Sequence, residues 1–479
     1  MHQLSGLDTT FLNIESNACP MHVGGLVVLE APNENAGDGG FGQVFKHVES
    51  RLDLIPPMRR RLVNAPLDLD HPYWIEDPDF DLVHHVKHRA LPSPGDNCKL
   101  GELVCELASQ RLDRNLPLWE IHYVEGLKDG QVATITKMHH AAVDGVSGAE
   151  ILGHLLDVQP QPRPIPPPAK PWRPDRIPST GALAKRTASS LTRRPAEAVR
   201  VVRATWPILL STGRELLERR KKARSNEGAE KSRRGAFAKA PRTRFNRRIT
   251  ARRSYAFGSL PLDQLKTVKN AFGTTINDVV MAVCAQALRQ YLLEKDELPQ
   301  APLIAGVPMS TRTDDQKGTA GNQVTFLRAS LHTDEVDAVR CLKKINAEMA
   351  GVKDSMRALP ANLMGDWAQL PAPALMARAA RLYENFGIQN YHTPAFNVVI
   401  SNVPGPSVPL YFAGMKVLAN YPVSIPYHGA AFNITLLSYC GKLDFGLIAD
   451  RDSMPDIERF AELMHQALQD FVQHAVKVK

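Results

Sequence analysis

Val132-Ala133-Thr134-Ile135-Thr136-Lys137-Met138-His139-His140-Ala141-Ala142-Val143-Asp144-Gly145 is the stretch on which the reading of this chain turns. Its first seven residues are apolar and β-branched enough for a buried strand, and Ser147 or Gly148 can start a helix over Gly148 to Leu156. The two histidines therefore fall at a strand end that leads into a loop, a place held rigidly yet open on one side. An imidazole titrating near ~6.5 can accept a proton at neutral pH, as a general base must. Asp144 does not share a strand face with the histidines by spacing; a carboxylate there can pair with an arginine and fix the loop. Gly145 allows a backbone angle or a close approach closed to other residues. With average Asp and Gly usage, a chance HHxxxDG in this length is on the order of 0.002. Adjacent strand residues point to opposite faces, so His139 and His140 cannot grip one ion together, and HExxH spacing is absent; no metal is expected. A second pair, His84-His85, has Arg89 four residues on and no Asp-Gly, and reads as ordinary strand residues.

Working outward, 479 residues exceed one core and favour two or three compact units. An apolar fraction of 43% and a charged fraction of 23% are those of an ordinary globular chain. No run of 18 apolar residues occurs, and Met1-His2-Gln3-Leu4-Ser5 does not open a secretory signal, so a cytoplasmic protein is expected. The six cysteines form no CxxC pair and read as free thiols. Cys105 and Cys284 lie in helix-like apolar stretches, where burial blunts reactivity. The net charge of +8 is local: Arg219 to Arg253 holds 15 Lys or Arg against Glu227 and Glu230.

Residues 1–158 form a first unit, with strand pattern over Val23 to Leu29 and Val132 to Met138 and helical pattern over Leu100 to Arg111. Gln159 to Pro168 has six prolines in ten residues and is an extended linker. Residues 159–242 continue with helical pattern over Gly181 to Arg193 and Pro195 to Lys222, the second carrying Trp206 and Leu209 on an apolar side. Ala223 to Ala240 is expected to be mobile. Residues 243–479 form the other unit, with helices over Ile276 to Leu293, Val336 to Met349 and Pro455 to Val476, and strands over Leu303 to Pro308, Val398 to Ser401 and Phe432 to Tyr439. The irregular order points to an α+β fold with mixed sheets, not a doubly wound one.

HHxxxDG resembles the mark of the superfamily of chloramphenicol acetyltransferase and peptide-synthetase condensation domains. Leu4-Ser5-Gly6-Leu7-Asp8-Thr9-Thr10-Phe11-Leu12, Pro20-Met21-His22-Val23-Gly24, Pro117-Leu118-Trp119, Asn277-Asp278-Val279-Val280, Val307-Pro308-Met309-Ser310-Thr311-Arg312 and Ser401-Asn402-Val403-Pro404-Gly405-Pro406 narrow it. Together they resemble bacterial wax ester synthase/diacylglycerol acyltransferases. The resemblance implies two chloramphenicol acetyltransferase-like domains, each a mixed sheet flanked by helices, with the active site in a tunnel between them. It makes His140 the base and His139 its support, with Asp144 held by an arginine, for which Arg61 is the candidate. Asn277 and Asp278 would shape the site from a helix start; simple helix capping is the competing reading. Acyl-CoA would be the co-substrate, with no other cofactor, and diacylglycerol or a long-chain alcohol the acceptor. The basic Arg219 to Arg253 stretch offers few aromatics for nucleic acid and suits an anionic membrane or lipid-droplet surface, although a solvated loop reads equally simply. A non-catalytic lipid-binding protein, and an acyltransferase for a polyketide or glycolipid alcohol, are the alternatives.

Overall fold

The computed structural model describes residues 1–32, 40–143, 151–168, 171–193, 195, 239–310, 324–356 and 373–478. Asp144, Gly145, residues 146–150, the stretch around Trp206 for which a helix is expected, and the basic stretch as far as residue 238 lie outside the described residues.

Two six-stranded mixed sheets carry the molecule. The first has the order β12 (Tyr411–Phe412), β13 (Met415–Val423), β2 (His22–Leu29), β7 (Val132–His139), β6 (Trp119–Glu125), β5 (Val86–Ala90). All its neighbours are antiparallel except β5 and β6. The second runs β10 (Val324–Ser330), β9 (Ile304–Ser310), β11 (Val398–Val403), β14 (Phe432–Tyr439), β15 (Lys442–Asp450), β8 (Arg253–Pro261), with β11 parallel to both its neighbours. A small sheet joins β1 (His2–Gln3), β4 (Tyr73–Glu76) and β3 (Arg60–Val63).

Side chains alternate across the first sheet and both faces are covered. Val27, Leu29, Trp119 and Ile121 meet Val44 and Val48 of α2 (Phe41–Glu49) on one side. Leu26, Ala133 and Ile135 meet Leu100, Val104 and Leu107 of α3 (Asn97–Ser109) on the other. The same α3 residues also touch Tyr255 of β8 and Ile448 of β15, so α3 is the layer between the sheets. The outer face of the second sheet packs on α4 (Leu262–Phe272), α5 (Ile276–Leu293), α6 (Ala338–Met356) and α8 (Ile457–Val478). The apolar run of α5 is buried along most of its length, as a helix hydrophobic on all sides must be. Further helices include α1 (Gly6–Ile14) and α7 (Pro373–Asn385).

The α+β reading holds, and Ile276 to Leu293 and Phe432 to Tyr439 form with those bounds. Two differences matter. His84 and His85 do not sit on a strand: they end a 3-10 turn, where buried His85 stacks between Phe80 and Trp119 and its Nδ1 lies 2.9 Å from the Trp119 carbonyl oxygen. The other is the crossing of β12 and β13 from the C-terminal half into the first sheet, against β2. A division of the sequence at residue 243 therefore does not divide the sheets.

Among the described residues no single helix is long and apolar enough to cross a membrane. The α4–α5 pair passes such a test only jointly, bent by 102°, and α5 is core.

Where the sheets meet, a Cβ on Gly446 of β15 would run into the carbonyl oxygen of Pro422 on β13. Gly446→Ala is therefore expected to destabilise the fold by about 1–3 kcal/mol. A thermal melt reads this directly, and an unchanged midpoint would show that the two strands can part at no cost.

Candidate active site

Neighbouring strands pin the backbone around the histidines. The His139 N–H donates to the Leu118 carbonyl oxygen beside β6 at 3.0 Å, and the His140 N–H to Met21 O before β2 at 2.8 Å. The Ala142 N–H closes a turn onto His139 O at 2.8 Å. The Pro117-Leu118-Trp119 motif is thus part of the clamp; Trp119 anchors it by donating from Nε1 to Met58 O at 2.6 Å.

The two rings have different surroundings. His139 is 1% exposed and directly opposite His22 in the β2–β7 pairing. Its Nδ1 accepts the Ala141 N–H at 3.0 Å, which leaves the ring proton on Nε2. That Nε2 faces Glu15 Oε1 at 3.7 Å, and His22 Nε2 faces the same oxygen at 3.6 Å. Burial pushes the His139 imidazole down to about 3, against the pull of Glu15, so the ring is neutral at physiological pH. His140 is half-buried and stacks on Phe11 of α1, with centroids 4.0 Å apart and planes at 23°.

Glu15 is the residue that reading the sequence missed. It is the C-cap of α1, one helical turn beyond Phe11, so one helix meets both histidines. Burial works to raise its carboxyl, but His22, His139, Arg114 and Arg111 outweigh that and hold it well below the usual carboxylate range. Its Oε2 accepts from Arg114 Nη2 at 2.5 Å and Arg111 Nη2 at 3.0 Å, and these cations meet its charge while His139 stays neutral. The only available signal was Glu15's place just after the Leu4 to Leu12 motif; nothing local links it to a strand more than a hundred residues away.

A buried cation, Lys137, lies two residues before His139 and so on the same strand face. Burial lowers its ammonium to about 8, with Glu120 Oε2 3.8 Å away. It lines a narrow cavity between the halves together with His22, Arg253 and Ser424.

Of the remaining expected site residues, Asp144 and Gly145 lie outside the described residues. Arg61 pairs with Asp77 at 3.1 Å and Asp79 at 3.3 Å; its suggested partner Asp144 lies outside the described residues. Asp278 is the third residue of α5 and closes a capping box with Thr275, and its Oδ2 also accepts from Asn346 Nδ2 at 2.7 Å. Asn277 beside it is half-buried. Capping accounts for Asp278, and no described contact carries either residue to the histidines. Burial raises the Cys105 and Cys284 thiols to about 12, so neither is a thiolate at neutral pH.

Residues 4–280 match the wax ester synthase/diacylglycerol acyltransferase catalytic domain, and residues 320–471 match the C-terminal domain of the same family. The chain belongs to this family. The wax ester synthase/diacylglycerol acyltransferase from Marinobacter aquaeolei superposes with a TM-score of 0.68 at 34% identity, covering 99% of both chains. O-acyltransferase WSD from Acinetobacter baylyi is 33% identical over 98% of this chain and 97% of its own. A Mycobacterium tuberculosis protein named probable diacylglycerol O-acyltransferase is 36% identical over 97% of this chain and 98% of its own. The starter condensation domain of rhizomide synthetase, solved with C8-CoA, shares the fold alone, with a TM-score of 0.52 at 12% identity. In this chain the two adjacent histidines stand at the end of a central strand, one sealed and one half-buried.

Proposed function

We propose that the protein transfers an acyl group from acyl-CoA to the free hydroxyl of diacylglycerol, and to long-chain alcohols where these are offered, with His140 as general base. The observation that carries this reading is the asymmetry of the histidine pair. His139 is sealed, neutral and already accepting a backbone N–H, whereas His140 is half-buried and stacks on Phe11.

His140 takes the hydroxyl proton as the acceptor oxygen bonds to the thioester carbonyl carbon. The tetrahedral oxyanion then collapses, the C–S bond breaks, and the imidazolium returns the proton to the CoA thiolate. The products are the ester and free CoA. The thioester is activated already, so general-base help of about 10²–10⁴-fold is a fitting contribution. Acyl-CoA is the co-substrate in this scheme, and no further cofactor takes part. Asp144 and Gly145 shape the loop, and the site lies in a tunnel between the two halves.

The acceptor is a membrane lipid, so we place the protein peripherally at the inner face of the plasma membrane or on lipid droplets. The basic stretch supports this less broadly than its charge implies, because its described end is folded into the body. Arg242 donates to the Gln389 and His392 carbonyl oxygens, Arg244 pairs with Glu297, Arg252 with Asp452, and buried Arg253 donates to Ala18 O.

The test is labelled acyl-CoA with purified protein and diacylglycerol, long-chain alcohol or neither, the lipid products being separated. Label in triacylglycerol or wax ester is expected. Label in neither ester counts against the acceptor class. Initial-rate plots should intersect, since both substrates meet at His140 with no covalent acyl-enzyme, and alkylation of exposed Cys98 and Cys440 should spare activity. Parallel lines, with label recovered on denatured protein, would assign the chemistry to a nucleophile instead.

A further inference from the structure

We propose that α7 and the turn after it form the surface that docks on an anionic lipid bilayer. This rests on the reading of the acceptor as a membrane lipid and names the part of the chain that meets the membrane.

α7 has an inner and an outer side. Its inner side packs on α1, with Pro373 buried and Ala377 lining a recess beside Leu12 and Glu15. Its outer side leaves Leu375 62%, Leu382 52% and Phe386 69% exposed, at positions that recur along one helical stripe. Ile388, 40% exposed, and Tyr391, 85% exposed, extend the patch through the next turn. The first half shows isolated exposed apolar residues such as Val83 at 63%, but a row of this kind on a helix is a different feature.

Charge decides what covers it. Arg378 and Arg381 are exposed on the same helix, and Arg247 and Arg248 are exposed on the segment beside its end. Arg248 Nη2 lies 3.9 Å from Glu384 Oε1, and Arg242 fastens the turn through Gln389 O and His392 O. Glu384 itself is half-buried and faces His428 at 3.4 Å. Exposed Asp68 lines the recess that Arg381 also lines, but the four exposed arginines outnumber it and the rim of the patch is cationic on balance. A second copy docked about a two-fold axis would set this rim against itself, whereas lipid phosphates complement it while the leucines and the phenylalanine enter the acyl boundary. Tyr391 has the amphipathic ring found at such interfaces.

The position serves the reaction. The helix beneath α7 is α1, whose Phe11 stacks on His140, so a docked α7 brings the base to within one helix layer of the lipid surface.

Sedimentation of the full-length protein with phosphatidylcholine vesicles, and with vesicles that also hold phosphatidylglycerol, tests this. The wild type should sediment mainly with the anionic vesicles. Leu382→Glu/Phe386→Glu should lose roughly tenfold or more of that binding, from two large apolar side chains kept in water, with an unchanged melting temperature. Val83→Glu, at an exposed apolar residue on a different element, should bind as wild type. Transfer to vesicle-borne diacylglycerol should fall with binding in the double variant, while transfer to a water-soluble short-chain alcohol stays at the wild-type rate. Vesicle binding by the double variant equal to wild type overturns the proposal, as does wild-type protein that ignores both vesicles. A wild-type dimer that the double variant turns into a monomer, without loss of vesicle binding, overturns it in favour of a second copy. Failure of the wild type to acylate any alcohol strikes at the functional reading alone, because the sedimentation arm needs no turnover.

Discussion

His140→Ala should lower kcat for acyl transfer by about 10²–10⁴-fold while the thermal midpoint stays within a degree or so of wild type. The ring is half-buried and the backbone N–H of His140 is tied to Met21 O, so the fold should survive the loss of the imidazole. His139→Ala should do the reverse. It opens a cavity among Glu15, His22 and Ala141 and strips the Ala141 N–H of its acceptor, so the melting temperature falls more and kcat falls less. Steady-state kinetics beside calorimetry on both variants decides the matter. Equal turnover in wild type and a well-folded His140→Ala would remove His140 from the chemistry.

The second large effect is expected at Glu15. Its carboxylate is 1% exposed, whereas Arg111 and Arg114 remain 38% and 36% exposed and keep some contact with water. Glu15→Ala should therefore cost about 2 kcal/mol, short of the 3–5 typical when a fully buried pair is broken. Through a displaced His139 it should lower kcat with little change in KM. Glu15→Gln, which keeps the shape and one acceptor oxygen, should recover part of the activity, and a simple packing defect would not respond to that distinction. The cluster also sets an acid limit. Burial holds the folded-state pKa of both His139 and His22 below 6.5. Below pH 6.5 the unfolded chain thus binds protons that the native chain refuses, and stability is full above that pH and declines as pH falls toward 3. Glu15, also depressed, adds a loss below 4.5. A melting temperature independent of pH between 7 and 5 would contradict the neutral, sealed state of the two rings.

Much of this was legible because it is local. The apolar run of Ile276 to Leu293 has the length and period of a core helix, and Thr275 before it and Asp278 within it are a capping signature. Val132 to Met138 reads as a strand because β-branched residues precede a loop, and β7 runs one residue further, to His139. What stayed hidden depends on which strand lies beside which. Met415 to Val423 buries alternate residues over its first half like any half-exposed strand, yet nothing in its own residues says that it joins β2 in the other half of the chain. His22 stood inside a quoted motif, but its meeting with His139 exists only through the β2–β7 register. Arg61 pairs with Asp77 and Asp79, carboxylates that no motif singled out. Spacing along a chain cannot rank partners that the fold brings from elsewhere.

The β13 crossing also orders events during synthesis. As the chain leaves the ribosome, β2 and β7 can pair early, but the other edge of β2 has no neighbour until residue 423 has emerged. Until then the strand opposite the histidines presents a row of bare amides and carbonyls next to apolar side chains, a template for pairing between chains. The nascent first half is thus the aggregation-prone stage of this protein's life. A chain truncated before Met415 should collect in inclusion bodies even though it carries both histidines.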